Sequence, residues 1–583
     1  MKKLLSVLDF LLLGFVGFCL VHPSQHTAEG LPTRQVSVLW YVAAAVVALG
    51  LTLLIAWLDS RFDFRRKMLS SLRESGFTIA VCFILLLASA AVGAMAEWCV
   101  SRFVGVMSTG DTFNIYRFFL FTGALFVLSY FVCCLIRKEL KAENMVLALV
   151  LSAGLTIIFA APFGHLSWDN ESHYRMALNT ASLYGDVSAA DAAVANQPIS
   201  EYFRIDFTGT NAAGSEACVD ALNEMEDTDG GETVSRKTSV AHILPGFVAA
   251  VCRALGVSFH ARYNLMRIAN LLLYAAVVYF AVKRLKTGKM IMAVIALLPT
   301  VIFATVNLSY DGWVVGFLLL GMAYFFSEQQ QPDKYMTAGQ SAAMCLFLAI
   351  GCLPKETYLP ILLLPLFLKK DYFSLYPEEK RRHRRICLLS LLLVILAFGL
   401  RTVIELRAGG DMRGGEGINA TGQILYVLTH PFSYLGTLGG FLRQYLTWDK
   451  TKDLSVFFVY LDYIGGHTIC MLLLFVAVIT DKNEYDVYSS GCGLRFATIG
   501  NFLLCVVICA SAMYVAFTPV GSETINGCQP RYMVPALFPM LANISTSRIR
   551  NLTNRNWYHA LFGFGMGIVL FAGIYTNIIS VML

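Results

Sequence analysis

The stretch LSWDNESHYRMAL, residues 166–178, places Asp169, Glu171, His173 and Arg175 directly after a long apolar run. Asp169 and His173 are four apart, so on a helix they share one face. That spacing suits a carboxylate–imidazole pair or two ligands of one cation; it suits a solvated acidic loop equally well. Further charges stand where apolar runs meet: Arg267 in NLMRIANLLLY, Asp311 in ATVNLSYDGWVVG, Lys355 and Glu356 in GCLPKETYLP, Arg401 in FGLRTVIEL and Arg531 in NGCQPRYMVPALFP. A charge near the centre of a bilayer costs at least about 2.5–3.5 kcal/mol on insertion scales, so such residues usually have a reason to be there. Gathered at one membrane face, they would line one polar site. Each also has a plainer reading. The arginines can snorkel to head groups, Asp311 can cap the helix that follows it, and Lys355 can pair with Glu356.

The elements that must position these residues follow from composition. Of 583 residues, 57% are hydrophobic and 14% charged, and apolar runs of spanning length recur from end to end. This is an all-α integral membrane protein. The runs are continuous rather than alternating, which excludes a transmembrane β-barrel. Candidate spans number roughly 13–15. The clusters RFDFRRK, IRKELK, KRLKTGK, KKDYFSLYPEEKRRHRR and SRIRNLTNR fix the cytoplasmic side, and as membrane flanks they give no reason to expect a nucleic-acid partner. The same parity keeps the segment 239–257 from crossing, so it is expected to lie at the external face. Residues 163–262 then form one long first external loop with an acidic middle, NEMEDTDGGE, and residues 405–466 a second, with a Gly-rich part and an amphipathic part. The basic, apolar N-terminus resembles a signal peptide, but Asp9 and the lack of a clear cleavage site favour a retained first span. The fifteen cysteines lie mostly in apolar runs and read as small core residues. Cys99, Cys218 and Cys528 fall in expected external segments, where a bridge is conceivable. No zinc-type spacing and no internal repeat is visible.

Five motifs in order resemble the GT-C glycosyltransferases, integral membrane enzymes that use polyprenyl-phosphate sugars, and among them a bacterial branch of membrane proteins of formerly unknown function. The motifs are WDNESHYR, RIANLLLY (Arg267, Asn270), LPTVIFATVNLSYDG, PKETYLPILLLPLFL and GCQPRYMVPALFP. One departure stands out: where that branch has Glu beside its Asp, this chain has Asn170, with Glu171 one place later.

The resemblance implies a GT-C-like bundle over residues 144–404, the external loop 405–466 and C-terminal spans 467–583, with residues 1–143 as a four-span accessory module outside it. It implies an inverting transfer of sugar from the lipid-linked donor to an envelope glycan, lipid or polymer, at the external face of a bacterial plasma membrane. Asp169 would be the base, with Glu171 and His173 beside it. Arg267, Lys355 and Arg531 would meet the donor phosphate. Trp168, Arg175, Tyr310, Asp311 and Gln529 would contact substrate. Some GT-C enzymes use Mg²⁺ or Mn²⁺, for which Asp169, Glu171 and Asp311 are the oxygen donors on hand. A transporter or lipid flippase, and a non-catalytic scaffold for envelope assembly, are the competing readings. A transporter would put polar groups near the midplane and often show repeats.

Overall fold

In lipid, every backbone N–H and C=O must be satisfied within its own segment, and for continuous apolar runs that means helix. The computed structural model describes residues 2–21, 37–63, 76–103, 113–160, 169–181, 187–196, 212–225, 239–407, 418–451, 466–481, 491–544 and 551–580, with a few single positions between them. It is all-helical, and no β-strand occurs among the described residues. Among them, eight helices are long and apolar enough to cross a membrane, or nine if one sharply bent pair is a single broken span.

That is fewer than the roughly 13–15 spans expected. Several expected spans are shorter helices, among them Ala338–Cys352, Glu356–Phe367 and His467–Thr480. At about 1.5 Å per residue for the two α-helices and about 2.0 Å for the 3-10 helix Glu356–Phe367, all three fall short of the roughly 30 Å hydrocarbon core. Pro360 and Pro365 hold Glu356–Phe367 in a 3-10 helix, because proline cannot donate the helical hydrogen bond.

The N-terminal region consists of two antiparallel hairpins. In the first, α1 (Lys2–Val21) packs on α2 (Val38–Phe62), and Asp9 pairs with Arg65 at their shared end. In the second, α3 (Gly76–Phe103) packs on α4 (Ile115–Ile136), where the Arg117 guanidinium grips the fully buried Glu97 at 2.8 Å. Only 11% of the spanning windows of α2 and α3 is buried, against 72% for α5 (Ala142–Ala160). The hairpins are therefore apolar all round because they face lipid, whereas α5 is the centre of the bundle.

Against α5 packs α10 (Phe259–Arg284), and on α10 lies the bent pair α11 (Lys289–Ala296) and α12 (Pro299–Val306), which meet at 52°. The ends of these two short helices leave backbone carbonyls without helical partners inside the bundle, and α10 satisfies them. Tyr274 donates to Ala296 O (2.7 Å), Asn270 to Thr305 O (2.7 Å) and Arg267 to Val306 O (2.6 Å). Residues 267, 270 and 274 recur at the helical spacing of three and four, so one face of α10 carries the whole ladder.

The segment between α5 and α10 is partly helical. It contributes α6 (Asn170–Ala181), α7 (Ala189–Asn196), α8 (Ala212–Glu224) and α9 (Ile243–Ala254). On α6 the buried positions Tyr174, Ala177, Leu178 and Ala181 follow the i, i+3, i+4, i+7 stripe. They pack with Val194, Leu222, Ala249 and the start of α10 into a second core, separate from that of the bundle. A buried cluster ties it together. Asp191 accepts from the Tyr174 hydroxyl, Arg253 and Arg262, the last at 2.8 Å. Burial by itself would raise the Asp191 carboxyl; the two guanidiniums outweigh it and hold the group below its ordinary range. As expected, α9 is too short to cross, at twelve residues.

Candidate functional site

Four segments far apart in sequence meet at one end of the bundle: the start of α6, the turn between α12 and α13 (Asp311–Gln329), the turn after α14 (Ala338–Cys352), and the turn before the helix Val534–Ile544. Their contact points form a chain. The His173 ring stands edge-on to Tyr310, centroids 4.8 Å apart. The Lys355 ammonium lies 5.8 Å from the Tyr310 ring, 5.9 Å from Tyr358 and 3.2 Å from Tyr532. Beside Tyr532, the Arg531 Nε lies 2.9 Å from an Asp311 carboxylate oxygen.

Lys355 is buried, yet its ammonium has no hydrogen-bond acceptor among the described residues. The adjacent Glu356 is exposed, so the two do not pair. Three tyrosine faces and the nearby charge of Asp311 are what hold the cation. A desolvated cation–π contact is worth about 2 kcal/mol, less than the several kcal/mol that burying an ammonium costs. Such an environment favours an anion.

Asp311 is the first residue of α13 but does not cap it with its side chain. Its carboxylate turns to Arg531, which is thereby drawn inward rather than snorkelling. Asp169 also acts on Arg531: burial opposes the guanidinium charge, and Asp311 first, with Asp169 farther off, reverses that penalty. Asp169 is exposed, sits in the left-handed region at φ +59°, and begins α6, its carbonyl accepting from His173 N.

His173 has a partner that the sequence did not single out. Its Nδ1 lies 3.2 Å from Nε2 of the fully buried His242, and that same Nε2 lies 3.1 Å from Leu308 O. A carbonyl can only accept. The tautomer that suits both contacts puts the His242 proton on Nε2 and leaves His173 Nδ1 as acceptor, so neutral His173 carries its proton on Nε2. Burial lowers the His242 pKa to about 4, with the Leu308 carbonyl opposing, so His242 is neutral at pH 7.

The remaining expected site residues sit elsewhere. Arg267 is buried and bonded to Val306 O, Asn264 Oδ1 (3.2 Å) and, at 3.5 Å, Ile158 O. Its visible role is to finish α5 and α12. Arg175 donates to Ala195 O near the end of α7. Glu171 is half-buried, and its charge acts on Tyr263. Gln529 contributes a backbone carbonyl, which accepts from Tyr445 OH at 2.7 Å. Asn170 is buried and hydrogen-bonded to Tyr263 OH at 3.0 Å. Trp168 and the Arg401 side chain lie outside the described residues.

Among the described residues no group of three or more His, Cys, Asp or Glu is arranged to hold a metal ion, and Arg531 occupies the approach to Asp311. No disulfide joins the cysteines, and Cys528 Sγ lies 3.8 Å from Cys509 Sγ. The sequence had pointed to neither His242 nor Tyr532. Tyr532 was within reach, being next to Arg531 in a quoted motif. His242 was not, because its partners are 66 and 69 residues away.

The profile of a family described as predicted membrane protein (DUF2142) matches residues 221–540, a stretch holding Lys355, Asp311, Arg531 and His242. Neither a curated protein nor a solved structure matches the chain. With more than half of its length matched, and with a multi-pass helical bundle to account for the description, the chain belongs to the DUF2142 family of membrane proteins.

Proposed function

We propose that the chain is an inverting glycosyltransferase, moving a sugar from a polyprenyl-phosphate donor to an envelope glycan, lipid or polymer at the external face of a bacterial plasma membrane. The observation that carries this reading is the buried Lys355 ammonium, without a hydrogen-bond acceptor among the described residues, beside the Arg531–Asp311 pair and within one ring of His173. An acceptor hydroxyl attacks the anomeric carbon, the bond from that carbon to the phosphate oxygen breaks, and the hydroxyl proton passes to Asp169. Charge develops on the departing phosphate, where Lys355 and Arg531 meet it. A cation–phosphate contact at 4 Å is worth about 4 kcal/mol at an effective dielectric of about 20. Gained only in the transition state, that is roughly a thousandfold in rate, comparable to the 10²–10⁴-fold typical of general-base help. Arg267 supports the site indirectly, by holding α12 and the turn after it.

The amphipathic helices Ala420–Thr429 and Pro431–Tyr445 expose Leu425, Leu428 and Phe432. Lying on the membrane, they would flank the lipid donor's path. The test is purified protein supplied with polyprenyl-phosphate sugars and candidate acceptors, comparing wild type with Asp169→Asn. Loss of product is expected; equal activity would remove Asp169 as base.

The broken pair α11–α12 favours a second reading, since discontinuous helices mark many transporters. Movement of lipid-linked sugar across proteoliposome membranes, with no glycosidic bond formed, would favour a flippase.

A further inference from the structure

At the other end of α5 a cavity of about 590 Å³ opens between the α3–α4 hairpin and the bundle. Arg267, which holds the end of α12 below the candidate site, meets α5 at Ile158, and the cavity touches α5 at Glu143, which along a helix is about 22 Å away. By the distribution of Lys and Arg this is the cytoplasmic end. We propose that this cavity holds the phosphate-bearing head group of an anionic phospholipid, with an acyl chain running up the groove beside the hairpin. The inference does not depend on the glycosyltransferase reading.

Charge is the first argument. Six cations line the cavity: Arg137, Lys138, Lys141, Lys286, Lys289 and Arg555. The three carboxylates in the lining are already engaged. Glu143 pairs with Lys289 at 3.1 Å and Glu139 with Arg137 at 3.3 Å. Asp481 accepts from the backbone N–H groups of Met290 and Ile291 at the start of α11. The ammonium groups of Lys138, Lys141 and Lys286 have no hydrogen-bond acceptor among the described residues, and all three side chains are exposed. Positive potential is thus concentrated where spans emerge, at the depth of phospholipid phosphates.

Shape and lining are the second argument. Toward the membrane the wall is Val81 and Cys82 from α3, and Tyr130 and Cys134 from α4. An anion in water has no use for such a wall, whereas a lipid does. The volume is within the range of small-molecule sites, enough for a head group and the first carbons of a chain. A lipid so held would join the lipid-facing hairpin to the bundle.

The test uses the full chain in neutral detergent, titrated separately with phosphatidylglycerol, phosphatidylcholine and soluble glycerol phosphate. Bound ligand is read by native mass spectrometry. Phosphatidylglycerol should bind in preference to phosphatidylcholine. Glutamine at all three of Lys138, Lys141 and Lys286 should weaken it roughly tenfold or more without changing phosphatidylcholine retention, and arginine at the same positions should restore it. Equal retention of the two lipids, or unchanged phosphatidylglycerol binding in the glutamine variant, would overturn the proposal. Glycerol phosphate binding as tightly as the lipid would also overturn it, in favour of a soluble phosphate compound. Should the glutamine variant fail to fold, the wild-type comparison of the two lipids decides.

Discussion

Lys355 separates stability from function. An ammonium buried among aromatic rings, with no acceptor, is a poor contributor to folding, and a methionine fills similar volume without the charge. Lys355→Met is therefore expected to melt at the same temperature as wild type or higher, while transferase activity falls about a hundredfold or more. A lower melting temperature with retained turnover would make Lys355 a structural residue. His242 makes a prediction about pH. Its folded pKa, lowered to about 4 by burial, lies below the ordinary value of about 6.5. Between those values the unfolded chain binds a proton that the folded chain does not. The stability His242 contributes is thus complete above pH 6.5 and is lost as pH falls toward 4. Denaturant titrations in detergent across that window should show the decline, and His242→Asn should flatten it.

Among the elements, α9 and α10 carry the most checkable geometry. A Cβ on Gly246 of α9 would stand 2.7 Å from Ala177 O and 2.5 Å from Thr180 Cβ of α6, so Gly246→Ala must push the two helices apart. His242 precedes α9 and His173 lies on α6, so their 3.2 Å contact should lengthen. Activity should drop, and the pH dependence just described should weaken, because His242 would meet water. On α10, Asn270→Leu removes the donor to Thr305 O and leaves a buried carbonyl unsatisfied, which is expected to destabilise the bundle by about 1–3 kcal/mol in thermal or denaturant melts. These helices also mark how far the sequence can be read. Apolar runs give helix and approximate ends, and the shared membrane depth of Asp169, Asp311, Lys355 and Arg531 is legible because topology limits charged residues to span ends. Arg267 has the same signature at a span end, yet it lies against the end carbonyls of two other helices, Ile158 O of α5 and Val306 O of α12. Nothing local to RIANLLLY announces where those helices end; α12 is set apart as a short helix at Leu297–Pro299, where proline interrupts a run that otherwise reads as one span. The cluster of Asp191, Arg253 and Arg262 was hidden for the same reason, since burial beside a distant partner has no sequence period.

For the molecule as a whole, the central question is which face looks outward, because an external acceptor and a cytoplasmic lipid site both depend on it. Lys and Arg distribution sets the expected orientation, and two native thiols report on it without engineering. Cys99 is exposed near the end of α3 that the Glu97–Arg117 pair marks, on the side expected to be external. Cys492 is exposed at the first residue of the helix Cys492–Phe517, whose far end leads toward Arg531; it belongs to the opposite side. A membrane-impermeant maleimide added to intact cells should therefore modify Cys99 and spare Cys492, and permeabilisation should expose Cys492. Peptide mapping assigns each site, with Cys99→Ser and Cys492→Ser as controls. The reverse pattern would turn the protein over. It would place Lys355 and Arg531 in the cytoplasm, where sugars are carried on soluble nucleotides as well as lipids, and would move the basic cavity to a face where the charge rule does not put cations. The external acceptor and the cytoplasmic placement of the lipid site would fall together, although they rest on separate sets of residues, because one bundle fixes the two ends relative to each other through α5.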